Sequence, residues 1–457
     1  MVSTPAVVIA APSSGSGKTT VATGLIGALR RIGQTVAPFK VGPDYIDPGY
    51  HTLAAGRPGR NLDPVLVGEH LIGPLYRHGC AGADIAVVEG VMGLFDGRIG
   101  EEAAGVARGS TAHVARLLGA PVVLVVDARG QSQSIAALLH GFTTFVPAVR
   151  VGGVILNRVG SQRHDEVLRE ACAHAGIAVL GAIPRLAELA VPSRHLGLVT
   201  AAEHGTAARR AVTAMTDVVA EHVDVAGVAA IAGTAVNNPA WDPSAGIATE
   251  DAPVTVAIAA GNAFTFGYAE HEEMLSAAGA DVVGFDPLTD TLPANTDALV
   301  LPGGFPEQFT AELSANDFVR QQIRALAERG APVHAECAGF TYLMSELDGH
   351  PMCGVLSGSA RFTDLLTLGY RDAVSVTDSS VRAAGDRAVG HEFHRTTVEF
   401  AEPYQPAWVY RGQHARAVRD GAVYGGVHAS YLHAHPAASP GAVSRFVAQA
   451  ARSRLLR

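Results

Sequence analysis

The stretch Ala6-Val-Val-Ile-Ala-Ala-Pro-Ser-Ser-Gly-Ser-Gly-Lys-Thr-Thr20 leaves few folds open. A short apolar run is followed by a loop of small residues and then by Gly17, Lys18 and Thr19. Small residues let consecutive backbone N–H groups converge on phosphate oxygens, a lysine adds positive charge, and a threonine hydroxyl can ligate Mg²⁺. A helix starting there aims its positive end at the anion. Gly15, Gly17, Lys18, Thr19 and Thr20 are therefore expected to hold the phosphates of a nucleotide. The loop departs from the usual pattern at one place, where Pro12, preceded by Ala11, stands instead of the first glycine.

Beyond the loop, apolar residues recur at helical spacing from Val21 to Arg31, and Gly33 separates them from the strand-like run Thr35 to Lys40. The run Val41-Gly-Pro-Asp-Tyr-Ile-Asp-Pro-Gly-Tyr-His51 is rich in Gly and Pro and reads as an irregular loop at a strand's carboxyl end, where open α/β sheets bind ligands. Asp44, Tyr45 and Asp47 are its candidates for substrate contact, and Asp47 also for Mg²⁺. Ile85 to Glu89 is a buried-type strand ending in an acid, a place suited to a further Mg²⁺ contact, so the expected metal set is Thr19, Asp47 and Glu89. Strands Val122 to Asp127 and Gly153 to Asn157 follow, the second ending in an amide able to read a nucleotide base. Helix-length segments, Glu101 to Leu118 and Ser132 to Phe145, lie between. This alternation predicts a parallel sheet covered on both faces.

A chain of 457 residues exceeds what one hydrophobic core usually supports. The segment up to Pro253, with Asn237-Asn-Pro-Ala-Trp-Asp-Pro-Ser-Ala-Gly246, has no sustained period and many turn residues. It divides the chain into a domain 1–226, a linker 227–252 and a domain 253–457. A formal charge of -9 without a basic cluster argues against nucleic acid and anionic membranes as partners. Four cysteines without a CxxC pair argue against a disulfide framework and a cysteine zinc site, in keeping with a reducing cytoplasm. No continuously apolar stretch reaches the ~18 to 20 residues of a membrane span.

A second α/β alternation starts at Val254: strand to Ala260, helix Tyr268 to Ala278, strand Asp281 to Phe285, strand Ala298 to Leu301. Gly303 and Gly304, just after that last strand, can aim backbone N–H groups at a developing oxyanion. In Ala331-Pro-Val-His-Ala-Glu-Cys-Ala-Gly-Phe340 a strand runs into Cys337, and small residues permit a sharp turn into a helix expected over Phe340 to Leu347. This is the nucleophile elbow in its cysteine form, with the sulfur near a helix N-terminus, which favours a thiolate. A base is offered by Gly425-Gly-Val-His-Ala-Ser-Tyr-Leu-His-Ala-His435. His433 is the choice made here, although spacing alone does not separate it from His428 or His435. His391 and His394 form a weak metal pattern and read better as the wall of a pocket.

Taken in order, the runs Ala11 to Thr19, Phe39 to His51, Glu89 to Gly97, Ala335 to Phe340, Gly390 to His394 and Ser430 to His433 resemble the cobyrinate a,c-diamide synthase family over nearly the whole chain. The resemblance implies two doubly wound α/β domains: an N-terminal P-loop NTPase sheet like that of dethiobiotin synthetase, and a C-terminal class I glutamine amidotransferase domain. It implies ATP and Mg²⁺ as cofactors, with glutamine and a corrinoid macrocycle, hydrogenobyrinate or cobyrinate, as substrates. Cys337 would attack the glutamine amide with help from His433, and the ammonia released would reach an acyl phosphate by a shielded path. A homodimer is compatible with this plan. Ordinary class I amidotransferases carry a glutamate two residues after the histidine; here that position is His435, so what orients His433 is left open. Competing readings are cobyric acid synthase, a nickel-sirohydrochlorin amidase, and a switch-type P-loop ATPase with a degenerate second domain.

Overall fold

The computed structural model describes residues 3–103, 105–185, 193–194, 197–198, 200–250, 254–412 and 416–455. They form two compact units, 1–241 and 242–457.

The first unit is built on a seven-stranded sheet in the order Arg60–Leu62, Val36–Val41, Ile85–Glu89, Ala6–Ala10, Val122–Asp127, Val151–Val159, Val179–Pro184. Every pairing in it is parallel. The strand Ala6–Ala10 is buried throughout, which is why it reads as an unbroken apolar run rather than an alternation. Its neighbours come from chain segments on either side of a reversal in strand order, so a crevice opens at its carboxyl end, where the loop before helix Lys18–Arg31 lies.

Three expected elements differ in extent. The run Val41 to His51 is only half a loop, because helix Asp47–Ala55 begins inside it. Pro48 is tolerated in a first turn, and Asp44 Oδ1 accepts the N–H groups of Ile46 (2.8 Å) and Asp47 (3.1 Å). The segment Glu101 to Leu118 is helical only over Thr111–Leu118. Gly105 and Gly109 take positive φ, a short hairpin pairs Glu102–Ala103 with Val106–Ala107, and Ser110 caps the helix. Within 227–252, residues up to Ile231 belong to helix Val225–Ile231; beyond it Gly233 bridges to Ala6, and Trp241 N–H donates to Pro74 O.

The second unit has a six-stranded sheet, Ala280–Phe285, Val254–Ala259, Ala298–Leu301, Val333–Glu336, Val427–Ser430, Ala422–Tyr424, parallel except at its last pair. Its core joins sheet residues such as Leu299, Leu301 and Val333 to Val319, Ile323 and Leu326 of helix Asp317–Glu328. A second, mixed sheet stands beside it and includes Met344–Leu347, Leu356–Ser375, Arg387–Phe400 and His433–Ala434. The helix expected over Phe340 to Leu347 is thereby shortened to Ala338–Leu343, and Met344–Leu347 is a strand of that sheet. Short apolar runs do not distinguish the two by period. Among the described residues no helix is long and apolar enough to cross a membrane.

Candidate functional sites

In the first unit Gly17 caps the helix with φ 97°, a conformation glycine adopts without strain. A Cβ there would stand 2.3 Å from Asn157 Nδ2, so the loop also needs glycine for space. Asn157, expected to read a base, donates Nδ2 to Ser16 O (2.9 Å), and its Oδ1 accepts the Arg158 N–H, so its amide braces the loop. Arg158 reinforces this by donating to Gly15 O (2.9 Å) while pairing with Asp127. Lys18 Nζ lies across the loop, donating to Met92 O (2.5 Å) and Ser13 O (3.4 Å). Burial, and then the neighbouring Lys40, lower its pKa.

Thr19 Oγ1 lies 2.6 Å from Glu89 Oε1 and 3.2 Å from Asp47 Oδ2, so the expected metal set converges. What the sequence reading did not assign is Lys40, at the end of strand Val36–Val41, whose Nζ sits 2.6 Å from Asp47 Oδ2 and 3.0 Å from Glu89 Oε1. Asp44 Oδ2 is 3.8 Å away. Burial works against the lysine charge, yet Asp47, Glu89 and Asp44 outweigh it and hold its pKa well above the ordinary value. Burial would likewise raise Glu89, but Lys40 and the His51 ring, 2.7 Å away, hold it ionised. Asp47 is pushed up by burial and by the charges of Asp44 and Glu89. One ammonium thus faces three carboxylates. Tyr45 is buried, whereas Asp44 is partly accessible. A lysine ending a strand in a run of apolar residues was the available signal for Lys40.

In the second unit Cys337 has φ 48° and ψ -100°, a strained conformation for a residue with a side chain, between strand Val333–Glu336 and helix Ala338–Leu343. Its N–H donates to Ser430 O (2.8 Å), and its sulfur faces Phe393 O at 3.8 Å. His433 pairs through its backbone with His391 and interacts with the sulfur of Cys337 and the carboxylate of Glu336. Burial disfavours the imidazolium, but Cys337 and Glu336 prevail and raise the pKa of His433 to about 10.

The other two histidines of that segment go elsewhere. His428 Nδ1 meets Ser379 Oγ at 2.9 Å, and His435 Nε2 is 4.0 Å from Glu270 Oε2 with its ring against Tyr268. Gly303 closes the pocket over His433, where a Cβ would stand 2.3 Å from Cε1; Gly304 packs against Ala263. His391 and His394 lie on the strand above Cys337, His394 stacked on Tyr431 at 3.7 Å, and Glu392 between them pairs with Arg371. Glu392 and His394 border a cavity with Tyr431 and Arg371.

Two family models match the chain. Residues 7–199 match a CobQ/CobB/MinD/ParA nucleotide binding domain, and residues 255–440 match a CobB/CobQ-like glutamine amidotransferase domain. The hydrogenobyrinate a,c-diamide synthase of Mycobacterium bovis is 73% identical, covering 98% of both chains. The enzyme of that name from Streptomyces coelicolor is 55% identical over 97% of each. The cobyrinate a,c-diamide synthase of Gloeobacter violaceus is 40% identical over 97% of this chain and 96% of its own. The chain belongs to the a,c-diamide synthase family. For a member of that family the two sites have distinct tasks: the first unit binds nucleotide, and the second is a glutamine amidotransferase.

Proposed function

We propose that this chain is a cytoplasmic enzyme that amidates the a and c acetate carboxylates of hydrogenobyrinate, using ATP, Mg²⁺ and glutamine. The observation that carries the reading is the presence on one chain of a phosphate loop with converging oxygens and of a strained Cys337 beside His433. Greater identity to the relatives named for hydrogenobyrinate than to the one named for cobyrinate supports the choice of macrocycle.

The chemistry follows from what each group can do. Cys337 Sγ attacks the glutamine amide carbon; His433 gives a proton to the departing nitrogen, so ammonia leaves and a thioester remains. The same imidazole then takes a proton from water, whose oxygen frees glutamate and restores the thiol. Backbone N–H groups near Gly303 and Gly304 are the candidates to receive the carbonyl oxygen charge. In the first unit the substrate carboxylate takes the γ-phosphoryl group of ATP, and ammonia displaces phosphate from the acyl phosphate. Gly15, Gly17, Lys18 and Thr20 would hold the nucleotide phosphates, Asn157 braces their loop, and Asp44 and Tyr45 are the candidates for substrate contact. Thr19, Asp47 and Glu89 would hold Mg²⁺, which would neutralise charge on the transferred phosphoryl group. Lys40 keeps the acid pair gathered and helps hold Glu89 ionised.

Mass spectrometry of the purified protein with ATP, Mg²⁺, glutamine and each macrocycle tests this. Two carboxylates of hydrogenobyrinate should become amides. Amidation of cobyrinate alone would refute the choice of substrate, and glutamine-driven turnover by Cys337→Ser would refute the amidotransferase mechanism.

A further inference from the structure

Two positions after His433 stands His435, not an acid, and it turns to Glu270 and Tyr268. We infer that Glu336, the residue immediately before the nucleophile, is the positioning acid of His433. The inference rests on the reading of Cys337 and His433 given above.

The geometry comes from two strands and one sharp turn. Glu336 ends the strand Val333–Glu336 opposite Ser430, in register with the strand that leads to His433. On a continuing strand, residues 336 and 337 would face opposite sides. The left-handed φ of Cys337 breaks that alternation, and both side chains meet the same imidazole. Glu336 Oε2 lies 3.6 Å from His433 Nδ1, and Glu336 Oε1 accepts the Ala434 N–H at 3.2 Å. The carboxylate thus holds the ring and the backbone just after it. With Nδ1 directed at the acid, Nε2 is the nitrogen left for sulfur and substrate, as in triads where an acid fixes the tautomer and orientation of a histidine.

The surroundings favour His433 as the partner of this charge. Glu336 also borders a cavity of about 30 Å³ lined by His271, His334, His428 and Arg382. His334 Nε2 is as near as His433, 3.5 Å from Oε1. Yet burial lowers the pKa of His334, His428 and His271, the last to about 4, so these rings are neutral near pH 7. His391, on the far side of His433, is lowered too. Arg382 is a cation at a distance; its own pKa is lowered by burial. Burial would raise Glu336 as well, but the pairing with His433, and then His334 and the Ala434 N–H, bring it down to about 2. The one imidazole raised in this group is the one that meets both Cys337 and Glu336.

The test uses the full chain carrying Glu336→Gln. Glutamine hydrolysis should lose roughly 10²-fold or more in kcat, within the range seen when a triad acid becomes an amide. KM for glutamine should stay within about threefold, because the carboxylate acts on the catalytic base rather than on bound substrate. Ammonia-driven synthesis should persist, which certifies the fold. The alkaline limb of the kcat–pH profile should move to lower pH, because His433 without its acid gives up its proton more readily. Glu336→Asp should recover part of kcat and restore the pH profile. An unchanged kcat and pH profile in Glu336→Gln would overturn the inference. If Glu336→Gln lost ammonia-driven synthesis too, Glu336→Asp decides: restored glutamine use supports the acid, and a profile no better than that of Cys337→Ala overturns it. Should Cys337→Ser retain glutamine use, the underlying reading fails instead, a separate result.

Discussion

Lys40 shows how one residue can govern a site without belonging to its motif. Its ammonium is buried, 2.6 Å from Asp47 and 3.0 Å from Glu89. Lys40→Met should therefore lower stability by about 3 to 5 kcal/mol, the usual result of leaving buried charges unpaired. Mg²⁺ should recover more stability in that variant than in the unsubstituted protein, because a dication replaces the missing charge. Thermal unfolding with and without Mg²⁺ measures both, and unchanged stability in Lys40→Met would show that the cluster does not depend on its lysine. The loop residues Gly17, Lys18 and Thr19 were legible from sequence because phosphate binding demands specific residue types at fixed spacing. Lys40 and Glu336 were not, since their meaning lies in contacts across 49 and 97 residues, to Glu89 and to His433. No local pattern encodes such distances.

Elements were legible wherever one constraint dominated. The strands Ile85–Glu89, Val122–Asp127 and Ala298–Leu301 follow from apolar runs that only a doubly covered sheet accommodates. Boundaries failed where glycine or a cap overrode the apolar period, as between Glu101 and Thr111. Ser110 starts the helix there by accepting the His113 N–H at 3.1 Å, and it is fully buried. Ser110→Ala should cost about 1 kcal/mol, typical of a lost cap. Chemical denaturation should show this as a lower midpoint at constant slope; an unchanged midpoint would mean that Thr111–Leu118 is held by its packing alone. The mixed sheet of the second unit escaped the sequence reading because its long strands Leu356–Ser375 and Arg387–Phe400 are largely half-exposed and polar. It nevertheless supplies the strand that carries His433.

The whole chain holds two compact units, each with a complete sheet and its own candidate site. A ligand that binds only the native state stabilises what it touches by RT ln(1 + [L]/Kd), about 2.7 kcal/mol at a hundredfold excess over Kd. A non-hydrolysable ATP analogue should thus slow amide hydrogen exchange in residues 6–20 and 85–97, and a glutamine-like electrophile bound to Cys337 should slow it around 333–343 and 427–435. Exchange followed by peptide mass spectrometry checks this. Protection from the analogue that bypassed residues 6–20 would contradict the phosphate-loop assignment.

The adjacency of Glu336 and Cys337 has an evolutionary side. When acid and nucleophile are neighbours in the chain, no insertion, deletion or segment exchange elsewhere can separate them. The histidine becomes the one movable part: a transplanted segment 425–435 would arrive without an acid and find one waiting beside the sulfur. Position 435 is then released from catalytic duty and free to serve packing, as its place against Tyr268 illustrates.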